Sequence, residues 1–265
     1  VTGAPAGTPL QGAVFEITRA KSGAVVGYIT SDARGVAASE PLTLGRYYVR
    51  EVTPARYYVL NPERFEAELE YTGQIVKLSL FNKSAALGTA IKKTGNYEVL
   101  AGDSMWYGIT VENTSSVPLS DFYWSDRLPA DAARALTLIT GTYNQRLYYR
   151  VLYRSQLGGW KTLASNLLTT NNYSFSLNAN VLGLAQGDVV AEVKLEFGAV
   201  QPGFRSESRA MISVLTLPGL VNGYEVVNRS ECGGVYMGAP QVSLSSWVTK
   251  VVRLGKQPGL PKTGY

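Results

Sequence analysis

The feature that most constrains this chain is a recurring alternation of apolar and polar residues over short runs. Each run is closed by glycine, proline or a small polar residue. Gly12-Ala13-Val14-Phe15-Glu16-Ile17 sets Ala13, Phe15 and Ile17 on one face, and Val25 to Thr30 follows before the turn Ser31-Asp32-Ala33-Arg34-Gly35. Gly45-Arg46 leads into Tyr47 to Val52, stopped by Pro54. Phe65 to Tyr71 and Gln74 to Phe81 are expected to pair as a hairpin around Thr72-Gly73. Further on, Met105 to Asn113 alternates in the same way, and Trp247 to Val252 reads as a final strand. A period of two places side chains on the faces of strands, not of helices. The expected fold class is therefore all-β, with two tandem β-sandwich domains.

Composition agrees. A hydrophobic content of 45% with 17% charge belongs to a core-forming protein, and 265 residues suffice for two β-domains. The small, polar stretch Lys83 to Gly88 is a natural boundary. The expected organisation is a sandwich over 1–84, a larger one over 85–253 and a tether over 254–265. The stretch 142–217, with its Tyr-rich strands, is read as enlarging the second domain, either by elaborating the sandwich or as an insertion at one end. Arg253 to Gly259 is rich in Gly, Pro and basic residues and cannot pack.

Absences exclude whole classes of chemistry. The chain has no histidine, hence no usual general base and no Ser-His or Cys-His nucleophile pair. A single cysteine, Cys232, excludes an intramolecular disulfide and a thiolate metal site. No enzyme activity, cofactor or metal is expected. Glu192 and Glu196 share a strand face, but nothing marks a site around them. The net charge of +5 is spread along the chain and reads as a solvated surface, with no nucleic-acid role. No signal peptide opens the sequence and no apolar run is of membrane-spanning length, so both ends read as cuts in a longer precursor.

Four patches carry a resemblance. Thr8-Pro9-Leu10-Gln11-Gly12-Ala13-Val14-Phe15, Thr30 to Gly35, Tyr47 to Glu51 and Leu80-Phe81-Asn82-Lys83 together resemble a Cna B-type (SpaA-like pilin) domain over Val1 to Lys83. The resemblance implies a prealbumin-like sandwich of the kind that builds stalks and pili. One departure follows Glu51, where Pro54-Ala55-Arg56-Tyr57 lacks the glycine of the family's Pro-x-Gly-Tyr corner. The family also implies an internal isopeptide bond between lysine and asparagine, promoted by a buried acid. Glu51 and Asn82 match the acid and amide positions. The lysine belongs before Thr2-Gly3 and is absent from this sequence, while Lys21 follows the first strand and is misplaced. The plainer alternative makes Glu51 a surface residue and Asn82 a polar strand end.

Gly102-Asp103, the strand through Asn113, and Asp126-Arg127-Leu128-Pro129 resemble an immunoglobulin-like repeat of bacterial wall proteins over Leu87 to Ala130. By analogy with the first domain, Lys93, Asp126 and Asn228 form a second candidate set. Lys92 is the rival amine, since a one-residue slip exchanges strand faces. The plainer reading makes Asp126 a turn cap.

Leu260-Pro261-Lys262-Thr263-Gly264 resembles a class A sortase sorting signal. The resemblance implies cleavage between Thr263 and Gly264 and transfer to a peptidoglycan precursor. Leu260, Pro261 and Thr263 would be recognised, with Lys262 at the variable position. The expected protein is then a non-enzymatic, secreted, cell-wall-anchored surface protein of a Gram-positive bacterium. The alternative is an adhesin module with a host or microbial surface ligand, or a minor or basal pilus subunit. No Tyr-Pro-Lys motif of the kind that polymerises backbone pilins occurs. Tyr143, Tyr148, Tyr149, Tyr153, Trp160 and Tyr173 are the aromatics an adhesive surface would use, although strand-core roles are the commoner use of such residues.

Overall fold

The computed structural model describes residues 1–3, 5 and 7–253; the tether 254–265, and with it Leu260 to Gly264, lies outside the described residues. Among the described residues every regular element is a strand, and no helix is long and apolar enough to cross a membrane. The chain divides into two compact units between Ala86 and Leu87.

The first unit has seven strands: β1 Thr2–Gly3, β2 Thr8–Pro9, β3 Val14–Arg19, β4 Val25–Thr30, β5 Gly45–Thr53, β6 Arg64–Leu69 and β7 Phe81–Asn82. They form a four-stranded sheet in the order β4-β3-β5-β6 and a three-stranded sheet in the order β2-β1-β7. Alternation does what the sequence implies. Phe15 and Ile17 of β3 and Tyr47 and Val49 of β5 point inward, where they meet Leu10, Ala13, Ala55 and Leu80. The large apolar side chains among them, such as Phe15, Ile17 and Leu80, each contribute about 1.5–3 kcal/mol by leaving water. Gly35 closes the Ser31 to Gly35 turn at φ +73, and a Cβ there would strike the Val1 carbonyl and crowd the Leu10 amide. Its own carbonyl accepts the Val1 ammonium at 2.5 Å, so the turn clasps β1. In the corner Pro54 to Tyr57, which has no glycine, Tyr57 itself takes the left-handed conformation, φ +66.

The expected hairpin around Thr72-Gly73 is not formed. β6 ends at Leu69, and residues 74–80 are not a strand. The Gln74 side chain explains it. Its Oε1 accepts from the Glu70 amide at 2.6 Å and its Nε2 donates to the Glu68 carbonyl at 3.2 Å, using backbone groups that a ladder would need. The chain then returns to pair in parallel with β1, Gly3 opposite Asn82.

The second unit has fourteen strands. β8 Thr89–Gly95, β9 Glu98–Leu100, β10 Ser104–Asn113, β11 Leu119–Arg127 and β12 Ala133–Ile139 come first. β13 Thr142–Tyr143, β14 Tyr148–Ser155, β15 Trp160–Leu168, β16 Ser174–Ser176, β17 Val190–Val200, β18 Ser206–Ser208 and β19 Ala210–Thr216 follow. A long hairpin, β20 Glu225–Tyr236 and β21 Ala239–Val252, completes it. One sheet runs β16-β12-β19-β10-β8 and the other β15-β14-β17-β11-β20-β21-β9, with β13-β18 a short separate pair. The stretch 142–217 enlarges the sandwich from within: β17 pairs with β11 in one sheet while β19 pairs with β10 and β12 in the other.

The core between these sheets is aromatic at one end. Tyr143 stacks on Phe204 with ring centroids 5.3 Å apart and meets Phe197 edge-on at 4.7 Å. The fully buried Trp124 donates its Nε1–H to the Tyr143 hydroxyl at 2.9 Å, satisfying a group that would be costly to bury bare.

Candidate functional site

Three strands from two sheets converge on one buried cluster. On β8 the alternation puts Lys93 inside, 4% exposed, and Lys92 on the opposite, solvent-facing side. On β11, Trp124 and Asp126 are both fully buried two residues apart. On β20, Val226, Asn228, Ser230 and Cys232 face inward in succession. The pairing of β11 with β20 sets Asp126 directly opposite Ser230, and β8 of the facing sheet delivers Lys93 to them.

The contacts are those of a closed polar site. Lys93 Nζ donates to Asp126 Oδ2 and, at 2.8 Å, to Ser230 Oγ. Ser230 Oγ–H donates to Asp126 Oδ2 at 2.6 Å. The other carboxylate oxygen, Asp126 Oδ1, accepts Asn228 Nδ2 at 2.8 Å, and that amide also donates to the Arg127 carbonyl at 3.1 Å. Asn228 Oδ1 is buried without a hydrogen-bond partner. The Tyr107 ring lies 4.9 Å from Lys93 Nζ. Burial pushes the Lys93 amine below its ordinary value of 10.5, against the opposing pull of the Asp126 carboxylate. Two charges taken from water cost several kcal/mol each, which the close pairing and the hydrogen bonds of the cluster offset. The site brings together an amine, a carboxyl group and an amide carbonyl with a free lone pair. Those are the parts of an acyl transfer from asparagine to lysine.

Asp126 therefore faces the core and does not cap a turn, and Asn228 lies within a twelve-residue strand, not at its end. Lys92 is exposed on the far face. Ser230 is the member that sequence reasoning missed. Its signal was present, since residues i and i+2 of a strand share a face and Ser230 follows Asn228 at that spacing.

The first unit holds a partial counterpart. Glu51 is 4% exposed and Asn82 1%. Asn82 Nδ2 donates to Glu51 Oε2 at 2.7 Å, to Oε1 at 2.9 Å and to the Val59 carbonyl at 3.0 Å. Asn82 Oδ1, like Asn228 Oδ1, is buried and unpartnered. No lysine hydrogen bond or ion pair to Glu51 or the Asn82 side chain is found among the described residues, and Lys21 sits exposed in the turn between β3 and β4. Burial raises the Glu51 carboxyl above its ordinary 4.5, partly offset by hydrogen bonds from the Asn61 amide and Asn82. A folded-state value above the unfolded one means that the native state holds the proton longer. The resulting stability is complete below the unfolded value and fades as pH rises through the folded one. Relative to Glu51→Gln, the wild-type first unit should gain protection as pH falls from neutral toward 4.5. Amide exchange of β5 reads this, and protection of the wild type that falls relative to Gln over that range would contradict it.

The other candidates have structural partners. Glu192 and Glu196 share a face but are ion-paired to Arg154 at 2.5 Å and Arg150 at 2.6 Å. Among the aromatics, Tyr143, Tyr149 and Tyr153 are buried, while Tyr148 is 67% and Trp160 41% exposed. The Tyr173 hydroxyl accepts from the Leu168 amide at 3.2 Å. Among the described residues no group of His, Cys, Asp and Glu side chains could hold a metal ion.

Comparison with known proteins bears on the first unit. Residues 2–84 match a family model, SpaA, described as a prealbumin-like fold domain. No curated protein matches the chain. Among solved structures the chain is similar to BcpA, the major pilin subunit of Bacillus cereus, at 17% identity over 95% of this chain and 67% of that one, TM-score 0.34. It is also similar to the full-length major pilin SpaD of Corynebacterium diphtheriae, at 16% identity over 94% of this chain and 63% of that one, TM-score 0.32. The two sheets that residues 2–84 form, β4-β3-β5-β6 and β2-β1-β7, lie within the stretch that this model matches.

Proposed function

We propose that this chain is a structural, non-enzymatic segment of a pilin-like protein displayed on a Gram-positive cell surface. Its second unit is locked by an amide bond between Lys93 and Asn228. The observation that carries this reading is the buried Lys93–Asp126–Asn228 cluster, assembled from facing sheets with the Asn228 carbonyl oxygen left unpaired. A SpaA-type domain preceding it fits a subunit built from sandwiches in series. Asp126 acts as the acid that takes a proton from Lys93 and returns one to the departing amide nitrogen. Such a protein needs no cofactor, and its bond forms once.

Leu260-Pro261-Lys262-Thr263-Gly264 completes the proposal as the attachment point. A class A-type sortase would form an acyl-enzyme at Thr263 and pass it to an amine of a peptidoglycan precursor. Proline at position 261 has no backbone N–H to give to a sheet ladder, which suits a segment read by an enzyme.

Intact-mass spectrometry tests both parts in one experiment. The purified chain should weigh one ammonia, about 17 Da, less than its sequence, and not two, because among the described residues no lysine hydrogen-bonds to or ion-pairs with Glu51 or the Asn82 side chain. After incubation with a class A sortase and triglycine, Gly264-Tyr265 should be replaced by the peptide. An unshifted mass would sink the cross-link, and a chain inert to the sortase would sink the anchoring.

A further inference from the structure

We propose that Ser230 is a working member of this site, its hydroxyl bridging the Lys93 amine and the Asp126 carboxyl so that the attacking nitrogen is held ready for Asn228; this rests on the Lys93–Asn228 reading above. The argument starts from the geometry at nitrogen. Lys93 Nζ meets two acceptors among the described residues, Asp126 Oδ2 and Ser230 Oγ. With Cε, they take up three of the four tetrahedral directions. The fourth carries the third N–H, and once the amine has given up a proton a turn about Cε–Nζ points its lone pair along any of these directions. Without Ser230 the nitrogen would have one acceptor and could swing about it.

The same hydroxyl divides the work of the carboxylate. Ser230 Oγ–H and Lys93 both sit on Oδ2, leaving Oδ1 to Asn228 Nδ2. One oxygen thus faces the nucleophile and the other the leaving group. A half-turn of the Asp126 carboxyl about Cβ–Cγ then carries a proton gained at Oδ2 to the side of Asn228 Nδ2. A proton leaves Nζ for Asp126, directly or by passing to Oγ while the Ser230 proton passes to Oδ2. The neutral nitrogen forms a bond to Asn228 Cγ, and the Cγ–Nδ2 bond breaks. Nδ2 departs as ammonia with a proton from Asp126, which takes the second proton shed by Nζ. Asp126 ends protonated, and nothing is oxidised or reduced.

The first unit supplies a contrast within the same chain. Asn82-Lys83-Ser84 repeats the spacing of Asn228-Arg229-Ser230. There the strand ends at Asn82 and Ser84 is exposed, so no hydroxyl joins Glu51 through that spacing. In β20 the strand continues for eight residues past Asn228, which keeps Ser230 on the inner face, 4% exposed.

The test uses the full chain made by cell-free synthesis, with the 17 Da loss followed over time. Ser230→Thr and Ser230→Val are near-isosteric and differ in the hydroxyl. The Thr variant should cross-link at close to the wild-type rate and the Val variant at least about ten-fold more slowly, the scale of a lost hydrogen bond to a charged group. Matching circular dichroism shows that both fold; if Val does not, Ser230→Ala carries the comparison. Equal rates in Thr and Val variants, with the wild type cross-linked, would overturn the role of Ser230 alone. A wild type that keeps its full mass, like Lys93→Ala, would overturn the cross-link reading and this inference with it.

Discussion

Asp126→Ala should give a chain that keeps its full mass and whose second unit melts at least about 10–20 °C lower than the wild type. Two losses add. A bond from Lys93 to Asn228 closes a loop of about 135 residues, and the chain-entropy argument for covalent cross-links values that at about 5 kcal/mol. In a unit of this size each kcal/mol moves the midpoint by about 2–4 °C. Alanine also leaves Lys93, Ser230 and Asn228 buried without the carboxyl that satisfies all three. Scanning calorimetry with intact-mass spectrometry checks both parts. Asp126→Asn separates them, since it preserves shape and some hydrogen bonding yet cannot carry the proton. It should stay uncross-linked while losing less stability. An alanine variant that still sheds 17 Da would show that the carboxyl is not needed.

Trp124→Ala is expected to be nearly as damaging, at about 3–5 kcal/mol, the cost of emptying a fully buried aromatic site. Its indole is enclosed and hydrogen-bonded to Tyr143, whose ring is packed against Phe197 and Phe204. Truncation leaves a cavity and strips the Tyr143 hydroxyl of its donor. Because Trp124 and Asp126 project from the same face of β11, the cavity should also loosen the acid, and cross-linking should slow along with the fall in melting temperature. Trp124→Phe should recover most of the packing. A stability loss under 1 kcal/mol in the alanine variant would mean that this end of the core is not the anchor of β11.

Much of this was legible from alternation alone. Lys93, Asp126 and Asn228 each sit where period two puts an inward side chain, and neighbours such as Trp124 and Val226 mark which face is inward. What was illegible had a different physical basis. The missing hairpin at Thr72-Gly73 depends on one glutamine side chain competing for backbone groups, a contact that no pattern encodes. β21 was read from Trp247 but begins at Ala239, because its inward residues Ser243 and Ser245 are polar and look like loop. They face inward to bond β8: Ser243 donates to the Thr89 carbonyl at 2.7 Å and Ser245 accepts the Lys93 amide at 3.1 Å. Ser230 was overlooked for the same reason. Serine inside a sandwich is spent on a neighbouring strand that the sequence alone does not place.

The position of the two joined residues has a consequence for a pull applied along the chain. Lys93 lies on the first strand of its unit and Asn228 on the last but one. With the bond in place, force arriving through β8 crosses directly to β20, and the roughly 135 residues between them are bypassed. Unbonded, that stretch could unravel to about 450 Å at some 3.4 Å per residue. Bonded, it contributes no length, and the give of the second unit is confined to the few strands outside the loop.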